Sequence, residues 1–299
     1  MSGKIALRFA ANDEDILVME ELAKNAHFDL GFHDRRLHWL YSPKTHILIL
    51  DNTSSEVIGY FTGNFVRQDI FLRAHTYIKK EYRSKHTLFD ILPTWDAMMG
   101  VPADANLIYN CNGITLKALV RPNPGYVISE KMLSYEGNIH HSILRQFERP
   151  PDVTVRLIQD AHDLQLLLAY DKTIHYIADR ESFMRQWCSN DGVNATTAIA
   201  LSSTGICLGF ASLRRAVNLI EPAYGESDAI GLALLSAVLL TLREDEVAQI
   251  TFPGSHSTVL AFCAALGWTS CMTEHRVYSL ENILLPWTKV FAVQDFFAV

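Results

Sequence analysis

The chain has 299 residues, 49% of them hydrophobic and 20% charged, and its 26 basic and 33 acidic residues leave a net charge of −7. That is the make-up of a globular protein long enough for two cores, not of a disordered or fibrous one. The acidic balance excludes a general nucleic-acid binder, which would carry a basic stripe, but leaves room for a phosphate-bearing ligand on one local basic loop.

In chain order, residues 5–9 read as a strand. Asn12 or Asp13 can cap a helix through Ile16, Met19, Leu22 and Ala23, which fall at helical spacing. A looser helix is expected over 34–41, then strands over 45–50 and 57–66 flanking a turn at 51–55. A further strand spans 71–82. Residues 88–99 are helical except for Pro93, 106–111 a strand, 114–120 a short helix and 126–135 a strand. The sequence Glu148-Arg149-Pro150-Pro151-Asp152 then interrupts the pattern. Two prolines can neither continue a helix nor donate to a sheet ladder. Two domains are therefore expected, residues 1–148 and 152–299.

The second half runs through the same order. Strand 153–157 leads to helix 161–170, and Asp179 caps a helix through Phe183 and Trp187. A hairpin pairs 197–202 with 206–214, and 217–223 is a strand. Ser227 opens a long helix to 242; 248–252 is a strand, 257–266 a helix and 269–278 a strand. The two copies share the order of elements, not residues. The expected fold class is α+β, with α/β layering: two mixed sheets, each flanked by helices.

The five cysteines, Cys111, Cys188, Cys207, Cys263 and Cys271, show no C-x-x-C spacing. Buried free thiols are expected, not a zinc site or a disulfide framework. Residues 1–10 lack the apolar run of a signal peptide, and residues 229–242 are too short to span a bilayer. A cytoplasmic protein with no membrane partner is expected, as a monomer or homodimer. His140-His141 has no partner at ligand spacing, so no metal is expected. Gly254-Ser255-His256-Ser257 is not a nucleophile elbow, because Thr258 follows. The aromatic tail of Trp287, Phe291, Phe296 and Phe297 reads as packing.

The chemistry concentrates where strand 71–82 runs into the next helix. Lys79, Lys80, Arg83 and Lys85 cluster there in an otherwise acidic chain. A helix N-terminus offers unpaired N–H groups and a positive dipole end, which suit a pyrophosphate. A solvated basic turn explains the same residues equally simply. At the second copy's junction the helix entry carries Glu226 and Asp228, with Glu221 just before. Carboxylates there stabilise the helix but repel a pyrophosphate, so the second copy is the poorer anion site.

The run Tyr77-Ile78-Lys79-Lys80-Glu81-Tyr82-Arg83-Ser84-Lys85-His86-Thr87-Leu88 resembles the acetyl-CoA loop of the GNAT acyltransferase superfamily, Gln/Arg-x-x-Gly-x-Gly/Ala. Arg83 matches its first position, while His86 and Leu88 stand in place of the two glycines. A β-carbon at both should narrow the cradle that the glycines leave open. Leu50 to Gly59 resembles the preceding hairpin, Gly125-Tyr126 the Gly-Phe after the fourth helix, and Lys131 to Gly137 the closing strand. No tyrosine stands at Arg121-Pro122, where the leaving thiolate is often protonated. The second half is similar to the C-terminal domain of tandem GNAT proteins of the holothin acetyltransferase type. It matches through Tyr170-Asp171, Asp179-Arg180, Gly209-Phe210-Ala211, Glu221 to Gly225 and Lys289 to Val293.

The resemblance implies an acetyl-CoA-dependent N-acyltransferase acting on a small-molecule amine, with acetyl-CoA as co-substrate. Ile78, Lys79, Lys80, Arg83, Ser84, Lys85, His86, Thr87 and Leu88 would hold the cofactor. His75 and Glu81 are the candidate bases, and Tyr170, Asp171, Arg180 and Tyr224 candidate acceptor contacts. The alternative is a catalytically impaired protein of the same fold that has lost the donor loop.

Overall fold

The computed structural model describes residues 5–25, 30–83, 87–120, 125–147, 149–191 and 193–293, giving the backbone alone at 87–90, 114 and 118. It forms two compact units, Met1–Tyr109 and Asn110–Val299.

In the first unit, β1 (Ile5–Phe9) leads into α1 (Asp13–Lys24), whose first turn is closed by the Asn12 side chain accepting from Asp15 N–H. Helix α2 (Phe32–Tyr41) follows, then β2 (His46–Asp51), β3 (Val57–Arg67) and β4 (Ile70–Ile78). These strands form an antiparallel meander. Helix α3 (Thr87–Met99) returns the chain so that β5 (Asn106–Cys111) lies parallel to β4. One face of the sheet packs Ile47, Ile49, Phe61 and Phe71 against Ile91, Trp95 and Met99 of α3. The other packs Leu48 and Tyr60 against Ile16, Met19 and Leu22 of α1. Helix α3 runs through Pro93, since burial of Ile91, Trp95 and Met99 holds the turns on both sides of the lost hydrogen bond. Strand β4 stops at Ile78; Lys80–Tyr82, predicted as its end, form a 3-10 turn.

In the second unit, α4 (Gly113–Val120), β6 (Val127–Asn138) and α5 (His141–Leu144) precede β7 (Val153–Leu157). Then come α6 (Ala161–Ile174), α7 (Glu181–Trp187), β8 (Ala195–Ser202), β9 (Cys207–Arg214) and β10 (Leu219–Gly225). Helix α8 (Asp228–Leu239) and β11 (Val247–Pro253) follow, with α9 (Ser257–Ala265), β12 (Thr269–Tyr278) and β13 (Val290–Ala292). The sheet order is β12-β6-β11-β10-β9-β8-β7, with β13 on β10. Strand β6, which closes the first copy in sequence, pairs antiparallel with β11 on one side and β12 on the other. The Pro150-Pro151 connection accordingly lies inside the second unit.

Three readings change. Asp179 is not a cap; Arg180 holds the N-cap position of α7 without a side-chain cap bond. Cys271 is exposed at a sheet surface, whereas the other four thiols are buried. And the copies do share residues. Arg8 on β1 grips Asp15 of α1, whose carboxylate also accepts from Ala11 N–H. Arg156 on β7 grips Asp163 of α6, which accepts from Gln159 N–H, and Asp160 caps α6 as Asn12 caps α1. Each arginine stands seven residues before its aspartate. The partner arginine holds each of these carboxyls below the usual carboxylate range.

Candidate functional site

The site in the first unit begins with a parting of strands. Strand β4 pairs with β5 from Ile70↔Asn106 to Arg73↔Tyr109, and among the described residues no pairing between them continues beyond that point. On its other side β4 stays paired with β3 as far as Gly59↔Ile78. The register with β3 slips between Phe61 and Gly63, leaving one extra residue on β4, a bulge at Ala74–His75. Because Lys79 N–H donates to Ile58 O at 2.8 Å, alternation turns the backbone groups of Ile78 and Thr76 the other way, toward the parted side. Gly59 permits the close approach behind them: a Cβ there would lie 2.4 Å from Tyr77 O.

The bulge also separates side chains. Arg73 faces α3, where it meets Asp96 and donates to Tyr109 Oη at 2.6 Å, with its guanidinium 5.1 Å from the Trp95 ring centre. His75 is buried, with Arg35 and His46 near it, and its backbone N–H donates to Thr62 Oγ1 at 2.9 Å. Glu20 accepts from Arg35 Nε at 2.5 Å and from Gly31 N–H at 2.8 Å, and Arg35 lies over Tyr60. Burial, with the Arg35 charge and His46 beside it, pushes His75 down to about 3. His46 is likewise pushed down to about 3 by burial, against a 3.1 Å contact with Ser42 O.

Of the predicted cofactor residues, Ile78 ends β4 and is buried, and Lys79 pairs with Glu56. Lys80 and the candidate base Glu81 are exposed on the 3-10 turn. Arg83 bends back: its Nε donates to Ile78 O at 2.6 Å and its guanidinium lies 5.2 Å from the Tyr77 ring centre. Ser84, Lys85 and His86 lie outside the described residues, as do Arg121, Pro122, Phe296 and Phe297. Thr87 and Leu88 open α3, with only their backbone described.

The second unit repeats the arrangement with a different outcome. Strand β10 pairs in parallel with β11 at Leu219↔Gln249 and Ile220↔Ile250, then bulges between Ile220 and Ala223 against β9. Beyond the bulge, β13 joins β10. Beside this junction the four predicted acceptor residues come together. Asp171 of α6 accepts from Arg180 Nε at 2.9 Å and Nη2 at 2.5 Å, and Arg180 also donates to Tyr224 Oη at 3.2 Å. Tyr170 meets Phe210 edge-on, and Phe210 meets Tyr224 in the same way. His175, missed in the sequence, completes the group at 2.8 Å from Tyr224 Oη. Its signal was present: it stands four residues after Asp171, one turn along α6. Burial pushes the Tyr224 and Tyr170 phenols up. Burial alone would lower Arg180, but the charge of Asp171, the Tyr224 phenol and the hydrogen bonds to both together raise the guanidinium. Asp171→Ala would strand that buried cation, and we expect a loss of about 3–5 kcal/mol, measured by urea unfolding.

A meander entering a parallel pair that parts at a bulge, with a strand-to-helix turn at the parting, is the sheet of the GNAT acyltransferase fold. The chain carries that sheet pattern twice. Solved structures agree over nearly the whole chain. A putative acetyltransferase from Pyrococcus horikoshii superposes with a TM-score of 0.72 at 12% identity, over 99% of this chain and 96% of that one. A GCN5-related N-acetyltransferase from Sphaerobacter thermophilus gives 0.63 at 12% identity, over 95% and 98%. A tandem GNAT protein from the clavulanic acid biosynthesis pathway gives 0.63 at 12% identity, over 94% and 100%. The chain therefore has the GNAT fold. No protein-family model and no curated protein matches its sequence.

Proposed function

We propose that the chain is an N-acyltransferase that binds acetyl-CoA along β4 of the first unit and moves the acetyl group to an amine of a small molecule. One observation carries the reading: among the described residues β5 does not pair with β4 beyond Arg73↔Tyr109, while the matching edge of β10 is covered by β13 in the second unit. Thr76 and Ile78 present backbone groups to that edge, matching an extended amide-bearing arm, and Lys79, Lys80 and Arg83 follow at the turn. In this reading residues 148–152 divide the two sequence copies, and β6, from the first copy, completes the sheet of the second unit.

The chemistry asked of these residues is modest. The amine nitrogen attacks the thioester carbonyl carbon; the C–N bond forms, the C–S bond breaks, and the proton given up by the amine leaves to solvent or to the thiolate. In this reading the Ile78 N–H polarises the carbonyl oxygen. His75, held neutral by burial, suits a hydrogen-bond acceptor that orients the amine. If it acts on the reaction, His75→Ala lowers kcat by roughly 10²-fold with unchanged KM for the donor. A purely structural role lowers the melting temperature and leaves kcat in place.

Calorimetry with acetyl-CoA tests the donor site. One saturable site per chain is expected, strongly weakened by Arg83→Glu and left intact by Glu226→Gln. No heat with acetyl-CoA or a longer acyl-CoA would favour the second reading, a protein of this fold without the reaction. The observation behind that reading is specific: Arg83 is occupied by Ile78 O and Tyr77, and Lys79 by Glu56.

A further inference from the structure

In the second unit the chain fills its own cleft. β13 lies antiparallel to β10, with Ala292 opposite Ala223 and Val290 opposite Tyr224. Val293 N–H donates to Thr251 O of β11 at 2.9 Å, so the inserted segment hydrogen-bonds to both walls. Val290, Phe291, Ala292 and Val293 are all buried. The Phe291 ring packs 4.4 Å from the His256 ring centre and covers α8, where a Cβ on Gly231 would lie 2.2 Å from its atoms. A Cβ on Gly225 would meet Gly231 N at 2.9 Å. The absence of a side chain at 231 makes room for the ring, and its absence at 225 lets α8 approach β10. Two residues before Phe291, Lys289 Nζ donates to Glu226 Oε1 at 2.8 Å.

We propose that the cleft between β10 and β11 is a slot for an extended peptide, with Lys289–Val293 as its resident ligand. Strand addition to two walls gives affinity that does not depend on sequence, and side-chain seats give the choice. Here the seats take a basic residue at Glu226 and, two positions later, an aromatic ring over Gly231. Glu226 and Asp228 at the rim disfavour an anionic occupant such as a pyrophosphate. The segment that carries the strand in, residues 279–286, has no regular structure, and Glu281 and Asn282 are exposed, so the resident ligand is joined to the body by an accessible connection. The slot does not rest on the donor site of the first unit.

The test cuts that connection after folding. A protease site is inserted between Glu281 and Asn282 in the full chain, and the folded protein is cleaved and run on size exclusion without denaturant. The released segment should travel with the body. A labelled peptide of residues 286–293 should exchange into the cleaved protein at one per body, with the Phe291→Ala peptide competing at least about 100-fold more weakly and the Lys289→Glu peptide about tenfold more weakly. Separation of the segment from a body that keeps its near-UV signal would overturn the proposal. So would equal competition by the wild-type and Phe291→Ala peptides. Uptake of a second equivalent of acetyl-CoA by the cleaved protein would overturn it too, by making the cleft a cofactor site held shut.

Discussion

Phe291→Ala in the intact chain will destabilise the second unit by about 3–5 kcal/mol, the cost of emptying an aromatic site that cannot collapse. The ring is wholly buried, and α8, β10 and the loop at His256 enclose it. Gly231→Ala will also destabilise, though less obviously. Alanine gains about 1 kcal/mol of helix propensity over glycine in α8. Against this, its methyl meets three atoms of a ring with no room to retreat, and overpacking of that kind costs about 1–3 kcal/mol. The overpacking should win. Combined with Phe291→Leu, Gly231→Ala should cost less than the sum of the two changes by about 0.5–3 kcal/mol, because each relieves the other. Urea unfolding reads all three. A Phe291→Ala loss under 0.5 kcal/mol would show that β13 merely lies against the sheet.

The two copies have diverged on one side only. Both keep the arginine–aspartate clamp between first strand and first helix, a buried arginine–carboxylate pair joining their first two helices, and an aromatic under that arginine. Both keep a glycine at the start of the third strand, Gly59 and Gly209, where backbone approaches within 2.4 Å and 2.3 Å of a would-be Cβ. They part where a donor would enter. Ile78 in the first copy stands opposite Gly59 as Gly225 stands opposite Gly209 in the second. The isoleucine side chain packs into the core, whereas the glycine lets α8 close against β10, where Gly231 seats Phe291.

Much of this was readable from periodicity. Strands 5–9, 106–111, 153–157 and 269–278 fall where alternation and turn residues put them, because each is bounded by its own local signals. Asp171, Arg180 and Tyr224, singled out from the sequence, come together as a buried ion pair capped by a phenol. β13 was not legible as a strand: three residues carry no period, and its partners are some seventy residues upstream. The clamp repeat was missed for the opposite reason. Its signal, arginine and aspartate seven apart, is plain once both copies are aligned, but charged residues on a surface helix read as solvated until the pairing is seen. The Arg83 contact with Ile78 O depends on β4 ending at Ile78, four residues sooner than the strand expected over 71–82.

Acid will weaken the first unit through two buried histidines. His46 and His75 are both buried and both held down to about 3 by burial, with the Arg35 charge adding to it. In the unfolded chain each returns to about 6.5. A folded value below the unfolded one means that the unfolded state binds protons first as pH falls. The stability conferred by the neutral rings is then complete above about pH 6.5 and is lost progressively toward about pH 3. At pH 5 each histidine accounts for about 2 kcal/mol, so the pair costs up to about 4 kcal/mol, less where the two influence each other. Asp15 and Asp163, held low by their arginines, lose their contribution only below about pH 4, which leaves the window from 6.5 to 4.5 free of them. His256 in the second unit is lowered too, by burial, and its share cancels from the comparison because the double substitution leaves it in place. Unfolding free energies measured at pH 7, 6 and 5 should fall steeply in the wild type and flatten when His46 and His75 are both replaced by Gln. A slope unchanged by that double substitution would mean that the two rings reach solvent in the folded protein.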